Sequence, residues 1–378
     1  MSDRRVNPSY KTGDVILPVL LGFFLRIKSF NELNYMLRDN EFSKLIPRGK
    51  RLPLIDTIRD TLKVIDLDKL AYINDYIVSI AIDNKVFSNG TIDGYVVAAM
   101  DGTKIFGSSK KKCDKCLTYE INDKRYNYHN AVVMSLIGNT VKLVLDYEMY
   151  NGRLDSHSKN EGELSVAKRL LTKVVCKHNG FLDIVAYDAL ACNSSFINHC
   201  INSGLDVVVR VKQNNNKSKR SIKCQVNKKE KSSSWYDGAT LVEAYEEEFY
   251  MTNVEPKLRY AKFTKRTVDN KRSQILIVTS CLDMSLNSLY KIIKARWDIE
   301  NSIFNNLKNN ASMEHCFVHG GNGLEAILYL QFIASNLFQL FKLKRIRDTI
   351  NNQRELVRQL FKGLYLLKYD KELLINSS

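Results

Sequence analysis

Three acidic residues sit where carboxylates could serve a common chemistry. Asp101 follows the apolar run Tyr95–Met100, and Asp188 follows Ile184–Tyr187, so each closes a short apolar strand. Glu300 lies in the stretch Tyr290–Lys308, where Ile292, Ile293, Trp297, Ile303, Phe304 and Leu307 recur with the period of an amphipathic helix. Arg296, four residues before Glu300, stands above it on one helix face. Lys308 comes about two turns later, rotated from Glu300 by roughly 80°. Three carboxylates drawn from distant parts of a chain are what a two-metal phosphoryl-transfer site needs. The competing reading of Arg296 and Glu300 is an exposed ion pair on a surface helix, worth a few tenths of a kcal/mol.

Other groups in the chain compete for a chemical role. Glu148, Glu161 and Glu163 are rival carboxylates, and the last two fit the first turn of a helix, where the helix dipole favours acids. His129 and His319 have no evident partner in the sequence and are expected to be structural. Cys113 and Cys116 form a single CxxC, and His129 lies 13 residues beyond the second cysteine. Structural zinc needs four ligands at recognisable spacing, so the cysteines are expected to be turn residues with no ligand role. The eight cysteines as a whole read as free thiols. Trp297 is expected in the core. No Gly-rich phosphate loop is found, and no nucleotide cofactor is expected.

The elements that must position the acids follow from the patterning. Residues 1–90 read as a helical region and a candidate for DNA contacts, with helices over Ile27–Leu37, Leu54–Ile65 and Leu67–Val86. The run Ile16–Leu25 is too short to span a bilayer and reads as a buried helix. The basic loop Pro47–Pro53 is either a DNA backbone contact or a solvated connector. From Asp93 the period changes to two. A strand over Tyr95–Met100 leads into a basic loop, Lys104–Lys115, and strands Tyr126–Ile137 and Val141–Tyr147 form a hairpin at Gly138-Asn139. A helix over Glu163–Lys177, a strand over Leu182–Tyr187, a helix over Ser194–Ser203 and a strand over Asp206–Val211 follow, an alternation that implies parallel, right-handed crossovers. A polar break, Lys212–Ser234, precedes strands at Leu241–Glu247, Phe249–Thr252, Leu258–Phe263 and Gln274–Thr279. The helix Tyr290–Lys308 comes next, then an apolar helix, Leu324–Leu343, and a short one, Leu356–Leu367. The expected organisation is a core in two parts, 91–212 and 283–345, a β-rich insertion at 213–282, and a helical tail at 346–378. Its class is α/β: a ribonuclease H-like mixed sheet flanked by helices, with the insertion before the last catalytic helix.

Composition narrows the partners. The 378 residues carry a net charge of +16, with the basic residues spread along the chain, and the sequence pI is about 9.3. A polyanion is the expected partner, nucleic acid ahead of an anionic membrane. Met1–Val6 lacks the apolar core of a signal peptide, and no segment reads as long enough to span a membrane. A soluble, cytoplasmic, nucleoid-associated protein is the expectation.

Asp101-Gly102-Thr103, Tyr187-Asp188-Ala189 and Arg296-Trp297-Asp298-Ile299-Glu300 resemble the three acidic motifs of DDE transposases of the insertion-sequence-four group. The resemblance covers roughly residues 90–340. The third motif of that group reads Tyr-x2-Arg-x3-Glu-x6-Lys. Here Arg296 and Glu300 fit, Ile293 holds the Tyr position, and the nearest lysine is Lys308, one place late. The resemblance implies catalytic and metal-binding roles for Asp101, Asp188 and Glu300. Asp101 would bridge two Mg²⁺ ions, Asp188 and Glu300 would hold one each in either order, and Mn²⁺ would substitute. It also implies nicking at the ends of a transposable element and attack of the 3′-OH on target double-stranded DNA. In relatives with the Tyr, Arg and Lys set a hairpin intermediate comes between the two. Arg296 would clamp phosphate with its guanidinium, Lys308 would contact phosphate, and Lys104, Lys110, Lys111 and Lys112 would line the DNA path. A homodimer on paired ends is the implied assembly. The alternatives are a catalytically inactive DNA-binding relative and a metal-dependent nuclease without strand transfer.

Overall fold

Alternation along a strand puts Val97 and Ala99 on one face and Ala98 and Met100 on the other, and all four are fully buried. A strand buried on both faces belongs in the middle of a sheet covered twice. The computed structural model, which describes residues 5, 8–38, 52–152, 161–212, 231–345, 355–360 and 362, shows such a sheet. Its strands are β1 (Val97–Ser108), β2 (Leu117–Ile121), β3 (Lys124–Leu136), β4 (Val144–Met149), β5 (Ile184–Tyr187), β6 (Asp206–Arg210), β7 (Ser233–Asp237), β8 (Thr240–Phe249), β9 (Leu258–Arg266) and β10 (Arg272–Thr279). The order is β2-β3-β1-β5-β6-β10-β9-β8-β7, with β4 paired to β3 beyond β2. β1, β3 and β4 pair antiparallel, while β1, β5 and β6 run parallel. This is the mixed, ribonuclease H-like arrangement that the element order implies. The β-rich insertion continues the same sheet, because β10 pairs antiparallel with β6.

Helices cover both faces. α1 (Thr12–Phe24), α2 (Phe30–Arg38) and α3 (Ile55–Val64) pack with the face that carries Val97, Ala99, Ile184 and Ala186. α4 (Leu67–Asp83) reaches both apolar clusters. α5 (Glu163–Lys177) buries Val166, Ala167, Leu170, Leu171 and Val174 against the opposite face, joined there by α6 (Ser194–Asn202). After β10 the chain forms α7 (Leu286–Ala295), a π turn (Ile299–Phe304), α8 (Asn305–Asn310) and α9 (Gly323–Arg345). Ser285 starts α7 by accepting a hydrogen bond from the Ser288 N–H. Residues 355–360 are also helical.

Several expectations change. β1 does not stop at Met100. Its pairing with β3 continues to Ser108↔Asn127, although its pairing with β5 ends at Ala99↔Ala186. Asp101 therefore lies inside a strand, and Lys104 belongs to that strand, not to a loop. β2 and β7 were not expected; both are short strands of five residues, largely exposed or half-exposed. The short strand expected at Phe249–Thr252 is absent. Phe249 closes β8, and Asn253 turns the chain at φ 63°. α9 contains a 22-residue stretch, Gly323–Lys344, long and apolar enough to cross a membrane, contrary to the expectation that no segment is. The window is 67% buried within the fold, as befits a core helix. Most of Pro47–Pro53, most of the Lys212–Ser234 break and most of the 346–378 tail lie outside the described residues.

Candidate active site

The two parallel strands at the centre of the sheet deliver the aspartates. Asp101 lies two residues beyond the last β1–β5 pair, and its Oδ1 accepts a hydrogen bond from the Gly102 N–H at 3.0 Å. Asp188 directly follows β5. Its Oδ1 accepts from the Leu190 N–H at 2.8 Å and caps the short 3-10 turn Ala189–Ala191. Glu300 arrives on the π turn that packs against β1.

Electrostatics ties these groups together. Burial, followed by the charge of Glu300, raises the Asp101 carboxyl to about 7; Glu163 and Asp188 push it the same way, and Arg296 opposes them. Four carboxylates with one opposing cation leave an excess of negative charge in a half-buried place. Carboxylate oxygens are the donors a hard divalent cation takes, and Asp101, Asp188, Glu300 and Glu163 lie near enough to act on one another electrostatically, although among the described residues their oxygens are not gathered into a formed ligand set.

Glu163 is the rival carboxylate that sequence reading explained by its place in a helix alone. It does occupy the first turn of α5, but its carboxylate points to Asp101's neighbour. A Cβ on Gly102 would stand 2.7 Å from Glu163 Oε2. The Tyr187 hydroxyl donates to Oε1 at 2.8 Å and the Tyr150 hydroxyl donates to Oε2 at 3.1 Å. Glu148 and Glu161, by contrast, are both paired with Arg169. The usable signal was the Gly after Asp101, since a residue without a side chain leaves room for an incoming carboxylate.

Arg296 is only 3% exposed and pairs with Glu300 at 2.9 Å. That contact does not have hydrogen-bond geometry, and the buried Nε and Nη1 hold no hydrogen bond. A buried guanidinium with unused N–H groups beside the acids has donors to spare for an anion. Asp298, two residues from Arg296, pairs with Lys142 and accepts from the Gly138 N–H at 3.2 Å, which docks the helix on the β3–β4 turn.

The helix expected to run unbroken over Tyr290–Lys308 contains the π turn. Its signature is the Asn305 N–H donating to the Glu300 carbonyl, five residues back. A π turn takes up one extra residue, so Lys308 has the rotation that an uninterrupted helix would give to position 307. Lys308 pairs with Glu314 at 2.9 Å. Ile293 is buried, and the Tyr290 hydroxyl is turned to Asp237 on β7 at 3.0 Å, so neither side chain joins the carboxylates.

The remaining basic candidates sit farther along β1. Lys104 is exposed and lies along Gly107. Lys110, Lys111 and Lys112 occupy the turn after Ser108, whose hydroxyl accepts from the N–H groups of Lys110 and Lys111. At about 3.3 Å per residue, that turn begins some 23 Å from Asp101. Trp297 is not a core residue. It is 45% exposed, with the Arg210 guanidinium over its ring at 5.5 Å.

Comparison with known proteins gives the following. The family model for the transposase DDE domain matches residues 92–337. Among solved structures, the chain is similar to piggyBac transposase in a synaptic complex with hairpin DNA, at 13% identity and a TM-score of 0.45, covering 98% of this chain and 76% of that one. It is also similar to an endonuclease V from Bacillus subtilis, at 11% identity and a TM-score of 0.28, covering 57% and 83%. No curated protein matches. The matched stretch takes in Asp101, Asp188, the β-rich insertion and the helix of Glu300, well over half of the sequence, and the chain belongs to the transposase DDE domain family.

Proposed function

We propose that this transposase nicks the ends of a transposable element and joins the freed 3′-OH to target DNA, with Asp101, Asp188 and Glu300 as the catalytic carboxylates. The observation that carries the reading is the approach of those acids and Arg296 to Asp101, whose carboxyl is lifted to about 7 by burial and, after it, by the charge of Glu300.

Phosphodiesters resist attack because charge gathers on the non-bridging oxygens and the leaving oxygen. Two Mg²⁺ ions held by the three acids, with Mn²⁺ as a substitute, would supply stabilisation at both ends of an in-line displacement when bound. The side chains do the rest. Asp101, fixed by β1 and the Gly102 N–H, and Asp188, fixed by its cap of the 3-10 turn, hold their oxygens where β1 and β5 part at the centre of the sheet. Glu163, pinned by Tyr150 and Tyr187, keeps negative charge against Asp101 and resists collapse of the cluster. Arg296 would offer its guanidinium to a phosphate in exchange for Glu300, and because it is already buried and ordered, it loses little side-chain entropy in binding. Lys308 becomes available to phosphate by exchanging its partner Glu314. Lys104, Lys110, Lys111 and Lys112 extend a basic track along β1. A homodimer on paired ends of double-stranded DNA, of the insertion-sequence-four type and working at the nucleoid, is the assembly that suits the reaction.

The deciding experiment incubates the purified chain with DNA bearing the element ends and a target plasmid in Mg²⁺. Nicked ends together with joined product support the proposal. Nicks without joined product indicate a nuclease, and binding without nicks indicates an inactive relative.

A further inference from the structure

Away from the carboxylates, four metal-ligating side chains from three parts of the chain meet in one place. Cys113 and Cys116 lie in the turn between β1 and β2, His129 lies on β3, and His319 lies in the loop that leads into α9. Their ligand atoms are all within 4.8 Å of one another. Cys113 Sγ is 3.6 Å from Cys116 Sγ and 3.3 Å from His129 Nε2. Cys116 Sγ is 3.2 Å from His129 Nε2 and 3.5 Å from His319 Nε2. We propose that Cys113, Cys116, His129 and His319 form a structural zinc site that ties the β1–β2 turn and β3 to the start of α9.

The distances carry the proposal. With zinc–sulfur bonds of about 2.3 Å and zinc–nitrogen bonds of about 2.0–2.1 Å, a tetrahedron has edges of about 3.7 Å between sulfurs and about 3.5 Å between sulfur and nitrogen. The observed sulfur–sulfur separation matches the first edge, and the sulfur–nitrogen separations are at or slightly under the second. Ordinary packing has no reason to set two thiols and two imidazoles edge to edge with their lone pairs turned inward. The surroundings also suit a closed metal site. The Cys113 N–H donates to Cys116 Sγ at 3.3 Å, which orients that sulfur, as outer hydrogen bonds do for metal ligands. The Phe106 ring lies 4.8 Å from the His319 ring and 6.2 Å from the His129 ring, and shields the cluster. All four positions are taken by protein, leaving none for a substrate, so the site is structural and not catalytic. Two sulfur and two nitrogen donors at these lengths select zinc over the hard ions suited to the carboxylate cluster.

Sequence reading expected the two cysteines to be turn residues and both histidines to be structural. The fourth ligand made the difference. His319 is 203 residues beyond Cys116, and only the sheet's contact with the α9 loop brings it in.

Elemental analysis of the full chain, purified without chelator or polyhistidine tag from zinc-containing medium, tests the site. One zinc per chain is expected. Cobalt titration of the unmodified, metal-stripped protein should give the intense visible bands of tetrahedral Co²⁺ and the near-ultraviolet band of thiolate ligation. His319→Ala should lose the metal and melt several degrees lower, and His319→Cys, which restores a ligand, should keep it. A folded protein that carries no zinc and gives no tetrahedral cobalt spectrum overturns the proposal. So does zinc retained equally by Cys113→Ser, Cys116→Ser and His319→Ala. The readout is independent of transposition, so failure of the catalytic reading leaves it intact.

Discussion

Continued two residues past Ala99↔Ala186, the parallel register of β1 and β5 sets Asp101 opposite Asp188. β1 and β5 part after Ala99↔Ala186, so no ladder pair joins the two aspartates, but the strands bring both to the place where they separate, near the centre of the sheet. β1 remains extended beyond this point because β3 holds its other edge. Asp101 thus has a paired backbone on one side and an open flank on the side that Asp188 and Glu300 approach.

A pH dependence follows for the metal-free protein. The Asp101 carboxyl is raised to about 7, above its ordinary value of 3.8, by burial and by Glu300. A group with a raised folded-state pKa contributes stability that is complete below its unfolded value and lost as the pH climbs through the folded one. In the presence of chelator the melting temperature should therefore fall between about pH 4 and pH 8, with a loss of at most a few kcal/mol from this group. Asp101→Asn should flatten that fall, and millimolar Mg²⁺ should do the same for the parent. Scanning fluorimetry across pH checks both, and a parent curve indifferent to chelator would count against the crowded-carboxylate site.

Glu163→Gln separates charge from packing. The glutamine keeps the shape, accepting from one of the two tyrosine hydroxyls through its oxygen and donating to the other through its amide nitrogen, but carries no charge toward Asp101. Nicking should fall about 10–100-fold, as for an outer partner of a metal site, and the divalent ion concentration giving half-maximal rate should rise. Gly102→Ala should act in the same direction, because its Cβ would press on the Glu163 carboxylate. Initial rates against Mg²⁺ concentration measure the effect.

A buried amide network holds α4 and α9 to β4. The Asn336 side chain donates to Asn74 Oδ1 at 2.9 Å and to the Val144 carbonyl at 2.8 Å, and accepts from the Val144 N–H at 2.8 Å. Asn336→Leu leaves at least two buried polar groups unpaired, a cost of about 2–5 kcal/mol. Chemical denaturation should show a lower midpoint, while the residual folded protein keeps its nicking rate at low temperature.

Binding to duplex DNA should weaken steeply with salt. Each phosphate contact contributes roughly 0.9 to the slope of log affinity against log salt. Replacing Lys110, Lys111 and Lys112 together with Ala should lower that slope by about 2–3, without abolishing nicking at low salt. Fluorescence anisotropy over a salt series gives the slope, and an unchanged value would remove these lysines from the DNA path.

The parts legible in the sequence are those set by local periodicity. α5 begins at Glu163 and ends at Lys177, as its apolar spacing and Gly162 require, and the apolar runs of β5 and β6 locate the parallel centre. Less legible were features decided by neighbours. β1 runs seven residues past Asp101 because of β3. The π turn at Glu300 lies in an apolar pattern that an α-helix would satisfy equally well. Glu163 reads as a favourable first-turn acid, and nothing local reveals that Gly102, Tyr150 and Tyr187 gather round it. Trp297 has the spacing of a core residue, yet it stands at the rim beside Arg210.

The central claim is that Asp101, Asp188 and Glu300 act as one catalytic set. Its most direct test is the single-turnover nicking rate of Asp101→Asn, Asp188→Asn and Glu300→Gln on end-bearing DNA, at protein concentrations where each variant binds that DNA as fully as the parent does. Removing any one carboxylate should cost several kcal/mol of transition-state stabilisation, a rate at least about a hundredfold lower. A variant that binds equally and nicks at the parent's rate would contradict the account.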